Sequence, residues 1–170
     1  MVKKRFKSYR QLERPDCGIT CVRMIARYYG KRISIKTLRS LAETSKLGVS
    51  LKDITDALSE IDMRSASLRI SLDEILRMPC PAIIYWRQTH FVVLYKIDHK
   101  QSLFHIADPE EGKMKFSTGE FAKHWKGDSE KGIVIVAEPN ENFKQRQFQH
   151  DKTLHRQPVF GRFALLSFFL

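Results

Sequence analysis

At Pro81 the hydrophobic pattern of this chain changes period. Upstream, apolar residues recur at helical spacing; downstream, short runs rich in β-branched and aromatic residues read as strands. Asp16 opens the first helix as an N-cap and Gly30 stops it, with Ile19, Val22, Ile25, Ala26 and Tyr29 on one face. Ser34 opens a second helix over IKTLRSLAET, and Ser50 a third over LKDITDALSEI. Ser71 and Glu74 form a capping box for a short fourth, LDEILRM, which Pro79 and Pro81 close. AIIYW, HFVVLYKID, SLFHIAD, KMKFS and GIVIVAE then read as strands, with a short helix, GEFAKHW, among them. Helices first and a mostly antiparallel sheet second argue for an α+β domain. It ends near Pro139, and 170 residues suit one such unit.

The net charge of +11 is unevenly placed. Residues 1–14 hold six Lys/Arg against one Glu, and residues 141–170 hold five against two acids. Between them 19 basic residues nearly balance 16 acidic ones. The centre therefore lacks the basic footprint of a nucleic-acid reader, and basic ends suit an anionic membrane surface. From Asn140 the composition turns polar and then ends on FALLSFFL. Eight residues do not span a bilayer, so this end is either a docked apolar tail or the first part of a membrane helix. The two domains expected are thus 1–139, folded, and 140–170, a linker leading into a membrane region. The basic N-terminus has no apolar run behind it and is not a secretory signal.

Three Cys are too few and too odd in number for a disulfide scaffold. Cys17 is the residue after Asp16, at a helix start, where the dipole and unpaired N–H groups favour a thiolate. A buried free Cys that merely packs is the alternative. Cys21 lies one turn on, without a second ligand pair for zinc, so it reads as core; Cys80, between prolines, reads as packing. A nucleophilic thiolate needs a His, and the His an orienting acid. Strands 90–97 and 103–108 flank a turn centred near His99, which sets His90 opposite Asp108 across the ladder. Gln11, six residues before Cys17, offers a side-chain amide for an oxyanion, though a lone Gln carries no such meaning by itself.

Together, QLERPDCGITCVRMIARYYG, GVSLKDITDAL, PAIIYWRQTHFVVLYKI and ADPEEGKMKFSTGEFAKHWKG resemble the cysteine peptidase domain of peptidase-containing ABC transporters, the bacteriocin-processing double-glycine leader peptidases. The likeness covers residues 7–138. It implies a papain-like fold, with N-terminal helices packed on a mostly antiparallel sheet. It implies Cys17 as nucleophile, His90 as general acid/base, Asp108 as orienting acid and Gln11 as oxyanion donor. Thr89 departs from the Asn or Gly often found before that His. The implied activity is cleavage of a leader-bearing precursor peptide after Gly-Gly, coupled to export. The implied partners are transmembrane and ATPase domains, at the cytoplasmic face of the bacterial inner membrane. No metal or cofactor is expected for the peptidase, and ATP only through a domain not present here, since these residues hold no phosphate-binding loop. A non-catalytic leader-docking domain is the second reading, and a papain-fold amidase or transglutaminase the third.

Overall fold

Six strands form one antiparallel sheet in a computed structural model that describes residues 5–41, 50–145 and 147–148. The strands are β1 (Met63–Ile70), β2 (Ala82–Trp86), β3 (His90–Asp98), β4 (Leu103–Asp108), β5 (Gly112–Ser117) and β6 (Gly132–Pro139). Their order across the sheet is β1-β6-β2-β3-β4-β5. The helices are α1 (Cys17–Tyr28), α2 (Ile35–Leu41), α3 (Leu51–Glu60), α4 (Leu72–Ile75) and α5 (Thr118–Lys126), and a 3-10 turn, Arg14–Asp16, leads into α1.

Alternate residues of the central strands enter two apolar clusters. Phe91 and Val93 of β3 pack with Cys21, Val22 and Ile25 of α1 and with Ile54 and Leu58 of α3. Val92 and Leu94 pack with Phe121 and Trp125 of α5. The strand is therefore buried on both sides, which accounts for its unbroken apolar run HFVVL. The capping box expected at Ser71 is formed, with Ser71 accepting from the Glu74 N–H. Ser50, expected to open α3, also forms one, accepting from the Asp53 N–H, and so does Ser117 at α5, which the sequence reading did not single out.

Four features differ from the sequence-based expectation. First, β1 lies between α3 and α4, so the helices do not all precede the sheet. Its sequence, MRSASLRI, has small and polar residues at its centre, and as an edge strand it leaves them exposed. Second, Asp16 occupies the N-cap position of α1 but does not cap it; its carboxylate turns back to the Glu13 N–H, 3.0 Å away. Third, Phe143 and Phe148 are buried against the α1 cluster, so the polar stretch after Asn140 still touches the core. The Lys31 ammonium reaches the Phe143 carbonyl and lies over both rings.

Fourth, the β3–β4 register is shifted. The hairpin pairs Asp98 with Leu103, Ile97 with Phe104 and Lys96 with His105. A bulge then leaves Tyr95 extra, and Leu94 pairs with Ile106 and Val93 with Ala107. The turn is thus centred between Lys100 and Gln101 and not at His99, and the bulge recovers one residue of the difference. Among the described residues, no helix is long and apolar enough to cross a membrane. The segment FALLSFFL lies outside the described residues.

Candidate active site

The last β3–β4 rung is Val93 with Ala107. His90 begins β3 and Asp108 ends β4, so both lie beyond that rung, where the two strands part. They are not directly opposite, as the sequence register implied, yet their side chains meet: His90 Nε2 and Asp108 Oδ1 are 2.8 Å apart. A carboxylate only accepts, so Nε2 carries the proton and Nδ1 is left as the second ring nitrogen.

The first turns of α1 pack against this end of the sheet. Cys21 donates its S–H to the Phe91 carbonyl at 3.3 Å, one residue along from His90. One turn earlier lies Cys17, near enough to the His90 ring for its thiol to help raise the ring's pKa. Since Asp108 holds Nε2, Nδ1 is the ring nitrogen left for a proton exchange with the thiol. Cys17, His90 and Asp108 are thus gathered at one place, with Cys17 8% exposed and Asp108 3%.

The electrostatics follow from this order. Burial works against a charged His90, but hydrogen bonds to Asp108 and Cys17 and their charges outweigh it, and its pKa is pushed up to about 10. Burial likewise raises Asp108, but the His90 bond and the N–H groups of Glu110 (2.7 Å) and Glu111 (3.3 Å) hold its carboxyl below the usual range. All three donors converge on Oδ1. Burial pushes the Cys21 thiol well up, and the Cys80 thiol to about 11, which leaves both unreactive at neutral pH.

Gln11 arrives from the N-terminal segment. Its backbone N–H donates to the Pro109 carbonyl at 2.9 Å, which ties it to the residue after Asp108. Its carboxamide oxygen is buried and has no hydrogen-bond partner among the described residues. All four residues singled out in the sequence therefore converge on one end of the sheet.

Two further features carry no clear mark in the sequence. The β2–β3 turn, immediately before His90, holds Arg87 (φ 49°) and Gln88 (φ 59°) in the left-handed region, with Thr89 N–H bonded to the Trp86 carbonyl at 3.2 Å. Such a turn usually calls for Asn or Gly. Here α5 holds it: the Arg87 N–H donates to the His124 carbonyl (2.8 Å) and Gln88 Nε2 to the Trp125 carbonyl (3.3 Å). The second feature is Arg39 of α2, which forks onto Asp16 from 23 residues away in sequence.

The sequence model of the peptidase C39 family matches residues 5–142. The chain is 31% identical over 141 residues to the lactococcin-G-processing and transport ATP-binding protein LagD of Lactococcus lactis subsp. lactis, covering 79% of this chain and 19% of LagD. It is 28% identical over 139 residues to the colicin V secretion/processing ATP-binding protein CvaB of Escherichia coli, covering 82% of this chain and 19% of that relative. The chain thus spans about a fifth of the length of these relatives. Among solved structures it resembles a double glycine motif protease from an AMS/PCAT transporter in complex with the leader peptide (TM-score 0.71, 24% identity, 82% of this chain and 96% of that one). It also resembles the peptidase domain of Streptococcus ComA (TM-score 0.70, 24% identity, 80% and 100%). At that identity the structural likeness establishes a common fold.

Proposed function

This chain belongs to the peptidase C39 family, and from that premise we propose that it is a cysteine endopeptidase unit that cuts leader peptides after a Gly-Gly pair. The observation that carries the reading is the placement of Cys17, at the start of α1, beside a His90 ring that Asp108 holds at 2.8 Å. The Cys17 sulfur attacks the carbonyl carbon of the second Gly, and the developing oxyanion lies near the Cys17 backbone N–H. Gln11 supplies the second donor with its amide turned so that the NH2 faces the oxyanion. His90, protonated and oriented by Asp108, gives its proton to the leaving amine. A water molecule, deprotonated by the same ring, then hydrolyses the thioester and frees Cys17.

Two observations support a Gly-Gly cut. Cys17 is only 8% exposed, so a backbone without Cβ atoms approaches its sulfur most readily. The relatives are named as processing and transport ATP-binding proteins, and one structural neighbour as a double glycine motif protease. We further propose that residues 1–139 form the peptidase unit, with Phe143 and Phe148 of the following segment packed onto its core. Beyond them the chain leads toward transmembrane and ATPase domains at the cytoplasmic face of a bacterial membrane. ATP acts only through such a domain, and the thiol chemistry needs no cofactor.

The test compares three peptides: a full leader ending Gly-Gly joined to a short cargo, the same peptide with either Gly replaced by Val, and a tetrapeptide carrying Gly-Gly alone. The full leader is cut after the second Gly. The Val variants fall by two orders of magnitude or more, and the tetrapeptide is a poor substrate because remote contacts position the bond. Equal rates for all three leave a cysteine hydrolase without Gly-Gly specificity. Tight binding of the leader without cleavage favours a docking domain instead.

A further inference from the structure

Asp16 immediately precedes Cys17 and is 2% exposed. A carboxylate in that place opposes a thiolate on its neighbour. The fold nonetheless keeps it ionised. Burial raises its pKa, but the Arg39 guanidinium and the backbone N–H groups of Glu13 and Leu12 bring it below the ordinary carboxylate range. Arg39 Nε donates to Asp16 Oδ1 at 2.9 Å and Nη2 to Oδ2 at 2.5 Å. The same Nη2 reaches Glu13 Oε1 at 2.9 Å. The fork holds the Asp16 side chain back against the 3-10 turn, away from the first turn of α1, whose N–H groups it does not take.

The charged and titratable groups around Cys17 can be named element by element. From β3 comes His90, and from β4 Asp108, itself bonded to His90. From the next turn of α1 comes Cys21, whose burial keeps it a neutral thiol. From the 3-10 turn comes Asp16, and from α2 Arg39. His90 is matched by Asp108. Asp16 is matched by Arg39 alone among these side chains.

We propose that Arg39 is a positioning residue for the nucleophile: by forking onto Asp16 it cancels the carboxylate next to Cys17 and draws it away from the helix start. The Cys17 thiolate then faces the α1 N-terminus and the His90 imidazolium without a competing anion. This rests on Cys17 being the nucleophile. It assigns to α2, which stands outside the Cys17, His90 and Asp108 group, a part in setting the reactivity of the thiol.

The test is the pH dependence of Cys17 alkylation by iodoacetamide, read by mass spectrometry on the 170-residue chain, alongside kcat and KM on the Gly-Gly leader. Charges on neighbouring side chains lie roughly 6–10 Å apart, which at an effective dielectric of about 20 moves a thiol midpoint by about one pH unit at the long end of that range. Arg39→Gln therefore raises the midpoint by about one unit and lowers kcat about tenfold near neutral pH, with KM little changed. Asp16→Asn lowers the midpoint by a similar amount. The double variant returns it to within about 0.3 unit of the parent, and Arg39→Lys, which keeps the charge, stays equally close. If Arg39→Gln does not fold, Asp16→Asn still has to lower the midpoint while Arg39→Lys leaves it in place.

A mere brace between α2 and the 3-10 turn predicts something else: slower reaction in all variants at an unchanged midpoint, with no recovery in the double. That result overturns the proposal. If Cys17 labels first in the parent but its midpoint ignores these changes, only the role of Arg39 falls. If Cys17 is not the fastest-labelled thiol, the nucleophile assignment falls and this proposal with it.

Discussion

Replacing Asp108 with Asn isolates charge from geometry at this site. His90 Nε2 and the N–H groups of Glu110 and Glu111 all address the same oxygen, Oδ1. An Asn that places its carbonyl oxygen there keeps all three acceptor contacts and loses only the negative charge. Asp108 is the leading favourable contributor to the rise of the His90 pKa from 6.5 to about 10, and Cys17 supplies the rest. An ion pair at contact distance is worth about 4 kcal/mol at an effective dielectric near 20, or roughly three pH units. Part of this is lost to solvent at the half-open end of the hairpin. Asp108→Asn therefore lowers the alkaline limb of the kcat/KM profile by about one to two pH units. It lowers the rate at pH 7 by about 10- to 100-fold, less than the loss of several orders of magnitude expected for His90→Ala.

The assay is a pH series of leader cleavage, with folding checked by circular dichroism. Thermal unfolding gives a second reading. A His with a raised pKa stabilises the fold fully below its unfolded value near 6.5, and that contribution is lost as pH rises toward about 10. The parent should lose Tm over that window, and Asp108→Asn should show a flatter profile. A reduced rate with an unmoved alkaline limb would mean that Asp108 only orients the ring. An unchanged rate would remove Asp108 from the site altogether.

Other outcomes follow from the same packing. Cys17→Ala abolishes cleavage, whereas Cys21→Ala and Cys80→Ala keep most of it; loss of activity on selective labelling of Cys80 would refute this. Truncation after Phe148 leaves cleavage intact. Truncation after Pro139 removes the buried Phe143 and lowers stability by about 3–5 kcal/mol, read as a shifted urea midpoint. Gly132→Ala places a Cβ within 2.6 Å of Trp125 Cδ2 in a fully buried position. It should cost roughly 3 kcal/mol by the same assay, and an unchanged midpoint would mean that the Trp125 ring moves freely.

What could be read from the chain, and what could not, divides by the range of the interaction. Helix caps at Ser50 and Ser71 and the apolar run of β3 are local, and the sequence carries them directly. The edge strand β1 escaped because its stability comes from eight rungs with β6, 62 to 76 residues away, and not from its own composition. The meeting of His90 and Asp108 was anticipated through a register two residues off. It survived because an even offset leaves both residues on the face first assigned. The Arg39–Asp16 fork had no local mark: a charged residue on a short helix is ordinary, and its partner is fixed only by how α2 folds back. The left-handed Arg87–Gln88 turn was equally hidden, since neither residue favours that backbone.

The bulge at Tyr95 has a bearing on which insertions and deletions this site tolerates. The hairpin turn alone, pairing Asp98 with Leu103, is out of step by an odd number of residues and would send His90 and Asp108 to opposite faces. The single extra residue at Tyr95 restores the parity. Residues added in the turn lie outside the Asp98–Leu103 rung and leave the pair in reach. Deleting Tyr95 removes only the unpaired residue, so the Lys96–His105 and Leu94–Ile106 rungs join in one regular ladder and His90 keeps its face. Adding one residue to β3 between Val93 and Asp98 instead requires a second bulge to keep the Val93–Ala107 rung, and without it His90 moves out of reach of Asp108.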